Sequence, residues 1–181
     1  MAETIERAYE VFIDPVSGLY DRRTMWSRLA EEVSRARRYH YPLTLMLVAL
    51  STPEAQRATE HLLQLAELLK QYTRASDVLT RYSEDTLLLL LPCTDERGAL
   101  LLAERIRRLA LGVQEQSEEP SQEVAVSIGV TSAHGDYIGD KVALVEQVEW
   151  ALYKAREQQE GDRTVVVPAP QRIRSSEEAG K

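Results

Sequence analysis

The chain has 181 residues, a formal net charge of −7 and an apolar fraction of 44%, enough to bury one full core with short flanks but not two. The acidic balance argues against nucleic acid or an anionic membrane surface as the main partner, although an acidic protein can still hold a local basic pocket. The single cysteine, Cys93, excludes an internal disulfide and a cysteine-based metal site, and the three histidines show no zinc spacing, which suits a reducing, cytoplasmic setting.

Met1 to Val11 is acidic and amphipathic, not basic and then apolar, so no signal peptide is expected. Ile5, Ala8, Val11 and Phe12 recur at helical spacing and predict a helix ending before Asp14-Pro15, either a connector or a fraying terminus. Pro15 and Gly18 mark a wide turn, and Thr24 is an N-cap candidate for a helix from Met25 to about Tyr39 with Leu29, Val33 and Ala36 inward. Arg35, Arg37 and Arg38 suit the end of that helix and read as a solvated face. Leu43 to Leu50 is an apolar strand, and a helix over about Pro53 to Tyr72 buries Leu62, Leu65, Ala66 and Leu69.

Val78 to Tyr82 and Thr86 to Leu91 read as a hairpin around the polar Ser83-Glu84-Asp85. Its second arm is a five-leucine run without polar alternation, which predicts a central strand covered on both faces and is far too short to cross a membrane. Cys93, just beyond, reads as a plain small hydrophobe. Asp95 can cap a helix to about Val113, with Ala99, Leu102, Ala103, Ile106 and Leu109 as core and Arg97, Arg105, Arg107 and Arg108 outside. A polar loop over 114–122 precedes a half-buried strand from Glu123 to Thr131, in which Gly129 marks a bulge or a close approach. A loop from His134 to Asp140, a helix from Lys141 to about Gln158 with Trp150 and Tyr153 packing, and a strand from Thr164 to Val167 follow. Pro168 to Lys181 is polar and charge-rich and is expected to be disordered. After the helix at Met25 the order is β-α-β-β-α-β-α-β. That predicts an α+β sandwich, a central, mainly antiparallel five-stranded sheet flanked by helices, close to the ferredoxin-like and polymerase-palm arrangements.

The spacing R-x-x-D-x-x-x-R-Y from Arg74 to Tyr82, a short turn and then T-L-L-L-L-L-P resembles the hairpin of GGDEF domains, the bacterial diguanylate cyclases that condense two GTP into cyclic di-GMP. D-P-V-S-G-L-Y-D-R-R (14–23), V-A-V-S-I-G-V (124–130) and A-L-Y-K-A-R (151–156) are weak singly and specific in this order. The resemblance places the domain at 14–167, between a linker or signalling helix over 1–13 and the tail 168–181. In this register the family's Gly-Gly-Asp/Glu-Glu-Phe falls on Ser83, Glu84, Asp85, Thr86 and Leu87, so only Asp85 is retained. The resemblance makes Asp14 and Arg22 a turn-stabilising pair. It puts Ala49 where the family has a Mg²⁺-binding Asp, with Ser51 two residues on. The family's phosphate-contacting Lys and guanine-reading Asn and Asp of the next helix fall where residues are missing, and Arg156 stands where the family has another phosphate-contacting Lys.

Joining nucleotides through a triphosphate needs metal ions held by carboxylates. One carboxylate seldom organises Mg²⁺, and Ser83 and Glu84 fill the space that the two glycines leave for the nucleotide. The expectation is therefore no catalytic residue, no metal site, no tightly bound Mg²⁺ and no other cofactor. The resemblance also implies a second, product-binding site at Arg74, Asp77 and Arg105, where an Arg fork can take the O6 and N7 edge of guanine and Asp can accept from its N–H groups. On the residues alone, Arg74 and Asp77 read equally as an i,i+3 ion pair at a helix end. Two functions remain in view: a catalytically inactive cyclic di-GMP receptor, or a nucleotide-free interaction domain that dimerises or regulates a partner signalling protein. An active cyclase is the least favoured, and neither nucleic acid nor membrane insertion is expected.

Overall fold

The computed structural model describes residues 12–52, 55–115, 125–157 and 163–167. The expected helix over 1–13, apart from its last two residues, and most of the polar loop at 114–122 lie outside them, as does the tail 168–181. Phe12 and Ile13 are not helical; Ile13 instead bridges to Tyr20 across the turn that follows.

The elements run α1 (Arg22–Tyr39), β1 (Pro42–Ser51), α2 (Ala55–Tyr72), β2 (Val78–Arg81), β3 (Thr86–Pro92), α3 (Glu96–Glu115), β4 (Ala125–His134), α4 (Lys141–Glu157) and β5 (Arg163–Val166). The strands form one sheet in the order β2-β3-β1-β4-β5, antiparallel except for the β4–β5 pair. This is the α+β arrangement that the order of elements predicted.

The leucine run of β3 explains why helices cover both faces. Strand geometry sends alternate side chains to opposite sides. Leu87, Leu89 and Leu91 enter a cluster with Leu62 and Leu65 of α2 and Ala103 and Ile106 of α3, while Leu88 and Leu90 join Leu29 and Val33 of α1 and Val148 of α4. β1 divides its side chains the same way, Met46 and Val48 to the first cluster and Leu45 and Leu47 to the second. Gly129 is a close approach and not a bulge, for the β1–β4 register runs unbroken through it. A Cβ there would lie 2.7 Å from the Cα of Leu152 and 2.8 Å from the carbonyl oxygen of Val148.

Several local expectations are corrected. α1 begins at Arg22, and its N-cap is Asp21, whose Oδ1 accepts from the Thr24 amide at 2.8 Å. The Thr24 hydroxyl is instead spent on both backbone groups of Phe12. Asp14 does not pair with Arg22. The turn lies on β2, where the Arg81 amide donates to the Tyr20 carbonyl, and this brings the Arg81 guanidinium to Asp14 at 3.2 Å. Arg22 lies over the Tyr82 ring, 4.4 Å from its centroid. Arg37 is not simply solvated, since it donates to the carbonyls of Ile138 and Gly139. Arg107 is half-buried because its guanidinium reaches Thr164 of β5. Cys93 is exposed with a φ of 53°, where the chain turns out of β3 toward α3. Trp150 and Tyr153 stack on one another at 5.3 Å and stay half-exposed, because Val148, Ala151, Leu152 and Ala155 already fill the inward face of α4.

Candidate functional site

The hairpin turn stands at the end of the central strands. Ala49 faces Thr86 across the β1–β3 pair, and both are buried. The Leu50 amide donates to the Asp85 carbonyl at 3.1 Å, while the amides of Tyr82 and Ser83 both donate to the Thr86 carbonyl. The turn is therefore fastened to the strand that carries Ala49. Of the five positions expected to stand in the signature's place, Ser83 and Glu84 are exposed, Asp85 is half-buried, and Thr86 and Leu87 lie in the interior.

Both oxygens of Asp85 have protein partners. Its Oδ1 accepts from the hydroxyls of Ser83 at 2.7 Å and Thr86 at 2.8 Å. Its Oδ2 accepts from the Arg156 guanidinium at 2.8 Å, which also donates to the Thr86 hydroxyl at 3.2 Å. Burial works to raise the Asp85 carboxyl, but the two hydroxyls and the Arg156 charge outweigh it and hold the group below the usual carboxylate range. Glu84 does not join Asp85; its carbonyl takes the Thr59 hydroxyl at 3.5 Å. Among the described residues no group of three His, Cys, Asp or Glu is placed to hold a metal ion.

A carboxyl depressed in the folded state stabilises the fold above its unfolded value of about 4 and loses that contribution as pH falls through the folded value. Asp85→Asn is accordingly expected to flatten the loss of stability between about pH 5 and pH 2. Urea midpoints followed across this range would check it. Parallel curves for the two proteins would mean that Asp85 is not held by Arg156 in solution.

A second contact ties the hairpin to α4. The Tyr82 hydroxyl donates to Glu149 at 2.5 Å and accepts from Arg22 at 2.8 Å. Burial and the adjoining Glu149 carboxylate push the phenol up to about 12. Glu149 went unnoticed in the sequence because 67 positions separate it from Tyr82.

The other set of expected residues lies at the opposite end of α2. Arg74 and Asp77 occupy the turn from α2 into β2. They do not form a side-chain ion pair there: Asp77 Oδ2 accepts from the Arg74 amide at 2.8 Å, and the Asp77 amide donates to the Arg74 carbonyl at 3.0 Å. The Arg74 guanidinium has no hydrogen-bond or ion-pair partner among the described residues. Both residues line an open cavity of about 360 Å³ with Lys70, Thr73, Leu19 and Tyr20. Arg105 does not line that cavity; its guanidinium sits over the ring of Tyr72, 5.4 Å from the centroid. Arg74 and Asp77 are thus brought together, with Arg105 anchored close by on the last residue of α2. Lys70 and Tyr72, four and two residues before Arg74, were not among the expected residues.

A mainly antiparallel sheet with helices on both faces and a polar turn at the end of its central strands defines an α+β domain of the nucleotidyl-cyclase type. The chain belongs to the GGDEF family, for the family model described as "Diguanylate cyclase, GGDEF domain" matches residues 11–162. It is 26% identical over 160 residues to diguanylate cyclase DgcP of Pseudomonas aeruginosa, an alignment that covers 83% of this chain and 23% of that protein. Over 97 residues it is 32% identical to diguanylate cyclase A of Treponema denticola, covering 52% of this chain and 25% of the relative. The chain therefore spans about a quarter of the length of these relatives. Among solved structures, the GGDEF domain of FimX from Pseudomonas aeruginosa superposes with a TM-score of 0.67 at 20% identity, covering 86% of this chain and 98% of that one. The coiled coil and GGDEF domain of DgcB from Caulobacter crescentus, in complex with c-di-GMP, superposes at 0.68 with 14% identity, covering 93% and 91%. At these identities the structures establish the shared fold. Among the described residues no helix is long and apolar enough to cross a membrane.

Proposed function

We propose that this chain is a non-catalytic GGDEF domain that acts by recognition, with cyclic di-GMP as its ligand at Arg74, Asp77 and Arg105. The observation that carries the loss of catalysis is the Asp85–Arg156 pair. The one carboxylate kept at the signature is already neutralised, and the cation that could meet a phosphate is the group that neutralises it. Ala49 and Thr86, facing each other beside it, offer no negative charge to a metal ion. A triphosphate entering here would have to break that pair and then lie beside two carboxylates, Glu84 and Asp85, with no Mg²⁺ between. Nothing in such a site binds the transition state more strongly than the ground state. No tightly held Mg²⁺ belongs to this reading.

Recognition is supported by the exposed Arg74 guanidinium at a cavity lined also by Tyr20 and by Lys70, whose ammonium pairs with Glu67 at 2.6 Å. A guanidinium fork and Asp77 Oδ1, which takes only a long 3.5 Å contact from the Ser76 hydroxyl, match the two edges of guanine, and Tyr72 with Arg105 offers a stacked cation at the margin. The DgcB structure, a complex with c-di-GMP, makes the ligand class plausible for this fold.

A second reading, a nucleotide-free domain that regulates a protein partner, is favoured by the hold Asp77 already has on the turn. The structure of SiaD in complex with its activator SiaC, at a TM-score of 0.66, lends it further support. Isothermal titration separates the two. Heat at micromolar cyclic di-GMP that disappears in Arg74→Ala is the expected result, and absence of heat in the unaltered protein leaves the second reading standing. With GTP and Mg²⁺ at high protein concentration no cyclic di-GMP is expected, and any magnesium-dependent product would overturn the loss of catalysis itself.

A further inference from the structure

The two arginines near the end of α1 meet the residue that opens α4 at a cleft that the proposed function does not use. Arg37, Arg38 and Lys141 line a cavity of about 570 Å³ together with Ser34 and Asp140, and Ala30 and Val33 are its apolar part. That volume lies in the range of small-molecule sites. None of the three cations has a carboxylate partner among the described residues. The chain as a whole is acidic, with 29 Asp and Glu to 22 Lys and Arg, and the reason these three stay unpaired is local. One turn before Arg37 and Arg38 stand Val33, Ser34 and Arg35, none of them acidic, whereas Arg35 itself reaches Glu31 and Glu32. The first turn of α4 holds no acidic residue beside Lys141. Arg38 lies only over the Tyr39 ring, 6.0 Å from its centroid, and Lys141 only near Trp26 at 5.9 Å, both at the outer limit of a cation–π contact. Arg37 is the fixed member of the three. Its Nε and Nη2 donate to the Ile138 and Gly139 carbonyls at 3.1 and 2.7 Å. Neutral acceptors hold the guanidinium in place without cancelling its charge, and Nη1 keeps its N–H groups for another partner. Three cations against the one carboxylate of Asp140 leave the cleft with a charge of +2.

We propose that this cleft binds a phosphorylated small molecule, a phosphate monoester that also carries hydroxyl groups. A terminal phosphate brings close to two negative charges and three acceptor oxygens. These match Arg37 Nη1, the Arg38 guanidinium and the Lys141 ammonium, and the Ser34 hydroxyl, which has no partner among the described residues, adds a neutral donor. A phosphodiester carries a single charge on each phosphorus, so the same cations hold it less strongly. Asp140, whose carbonyl accepts from the Leu144 amide at 3.1 Å at the head of α4, repels a bare anion. Its carboxylate in the lining therefore selects a ligand that brings O–H groups for it to accept, while Ala30 and Val33 meet the carbon skeleton. This cavity shares no lining residue with the one at Arg74 and Asp77, so its failure would leave the cyclic di-GMP reading untouched.

Titration of the isotope-labelled full chain with glycerol phosphate at constant ionic strength, followed by NMR, is expected to shift the amide signals of Ser34, Arg38 and Lys141 and to saturate below about 10 mM. Arg38→Glu and Lys141→Glu, neither of which has an ion pair to lose, should each weaken binding about tenfold or more. Arg74→Ala should leave it unchanged. Asp140→Asn should tighten inorganic phosphate about threefold and leave glycerol phosphate without that gain, because the lost repulsion is offset by the lost acceptor for its hydroxyls. No saturable shift at these residues, the same shifts from sodium chloride, or binding indifferent to both charge reversals would overturn the proposal. So would an Asp140→Asn variant that tightens both phosphates alike, or a polyglutamate peptide that binds the cleft more tightly than glycerol phosphate.

Discussion

Gly129→Ala is expected to lower stability by about 3 kcal/mol, the upper part of the range for forcing volume into a packed interior. For a chain of this size that is a fall of about 6 to 12 °C in Tm. The atoms a new Cβ would strike are backbone, the Leu152 Cα at 2.7 Å and the Val148 carbonyl oxygen at 2.8 Å, so no rotamer change relieves the overlap. Either α4 lifts from β4 or the sheet bends. The effect should also reach the hairpin. Arg156 stands one turn beyond Leu152, so a lifted α4 takes the guanidinium away from Asp85. Calorimetry would check the stability, and the acid limb of Gly129→Ala should resemble that of Asp85→Asn. A Tm within about 2 °C of the unaltered protein would show that α4 does not seat on Gly129 in solution.

The second large effect belongs to the leucine run. Leu88→Ala and Leu89→Ala are each expected to cost about 3 kcal/mol, the middle of the range for emptying a buried leucine site. They are neighbours in sequence and lie in different cores, Leu88 with α1 and α4, Leu89 with α2 and α3. Both are fully buried. Comparable losses in chemical denaturation would confirm that helices cover both faces of β3. A loss below about 0.5 kcal/mol for either, the size expected at a surface position, would mean that one layer is not packed there.

These two changes bear on function through one geometry. β3 presents Thr86 opposite Ala49, and α4 presents Arg156 to Asp85. The hairpin and the helix meet through that ion pair. The proposed loss of catalysis is thus more than a list of missing side chains. The surviving groups have found internal partners, and an entering nucleotide would have to compete with them.

Much of the fold was legible before any coordinates. The five-leucine run announced a strand buried on both sides, because a strand with one wet face would alternate apolar and polar residues. Helical spacing located α1, α2 and α3, since those stripes are set by a local period of 3.6 residues. The expectation that Ser83, Glu84, Asp85, Thr86 and Leu87 stand in the signature's place is a matter of sequence alone. Where the structure departs from these expectations, the deciding contact is remote in sequence. Thr24 looked like a cap until Phe12 claimed its hydroxyl, and Arg107 looked like a solvated cation until β5 lay beside it.

Choice of partner is what tertiary structure alone decided. Asp85 and Arg156 are 71 positions apart, Arg22 and Tyr82 are 60 apart, and Asp14 found Arg81 where Arg22 had been expected. A sequence fixes which groups carry charge and which faces are apolar, because both are properties of single residues and short periods. Which charge meets which depends on how strands and helices are stacked, and stacking is settled by contacts between distant parts of the chain.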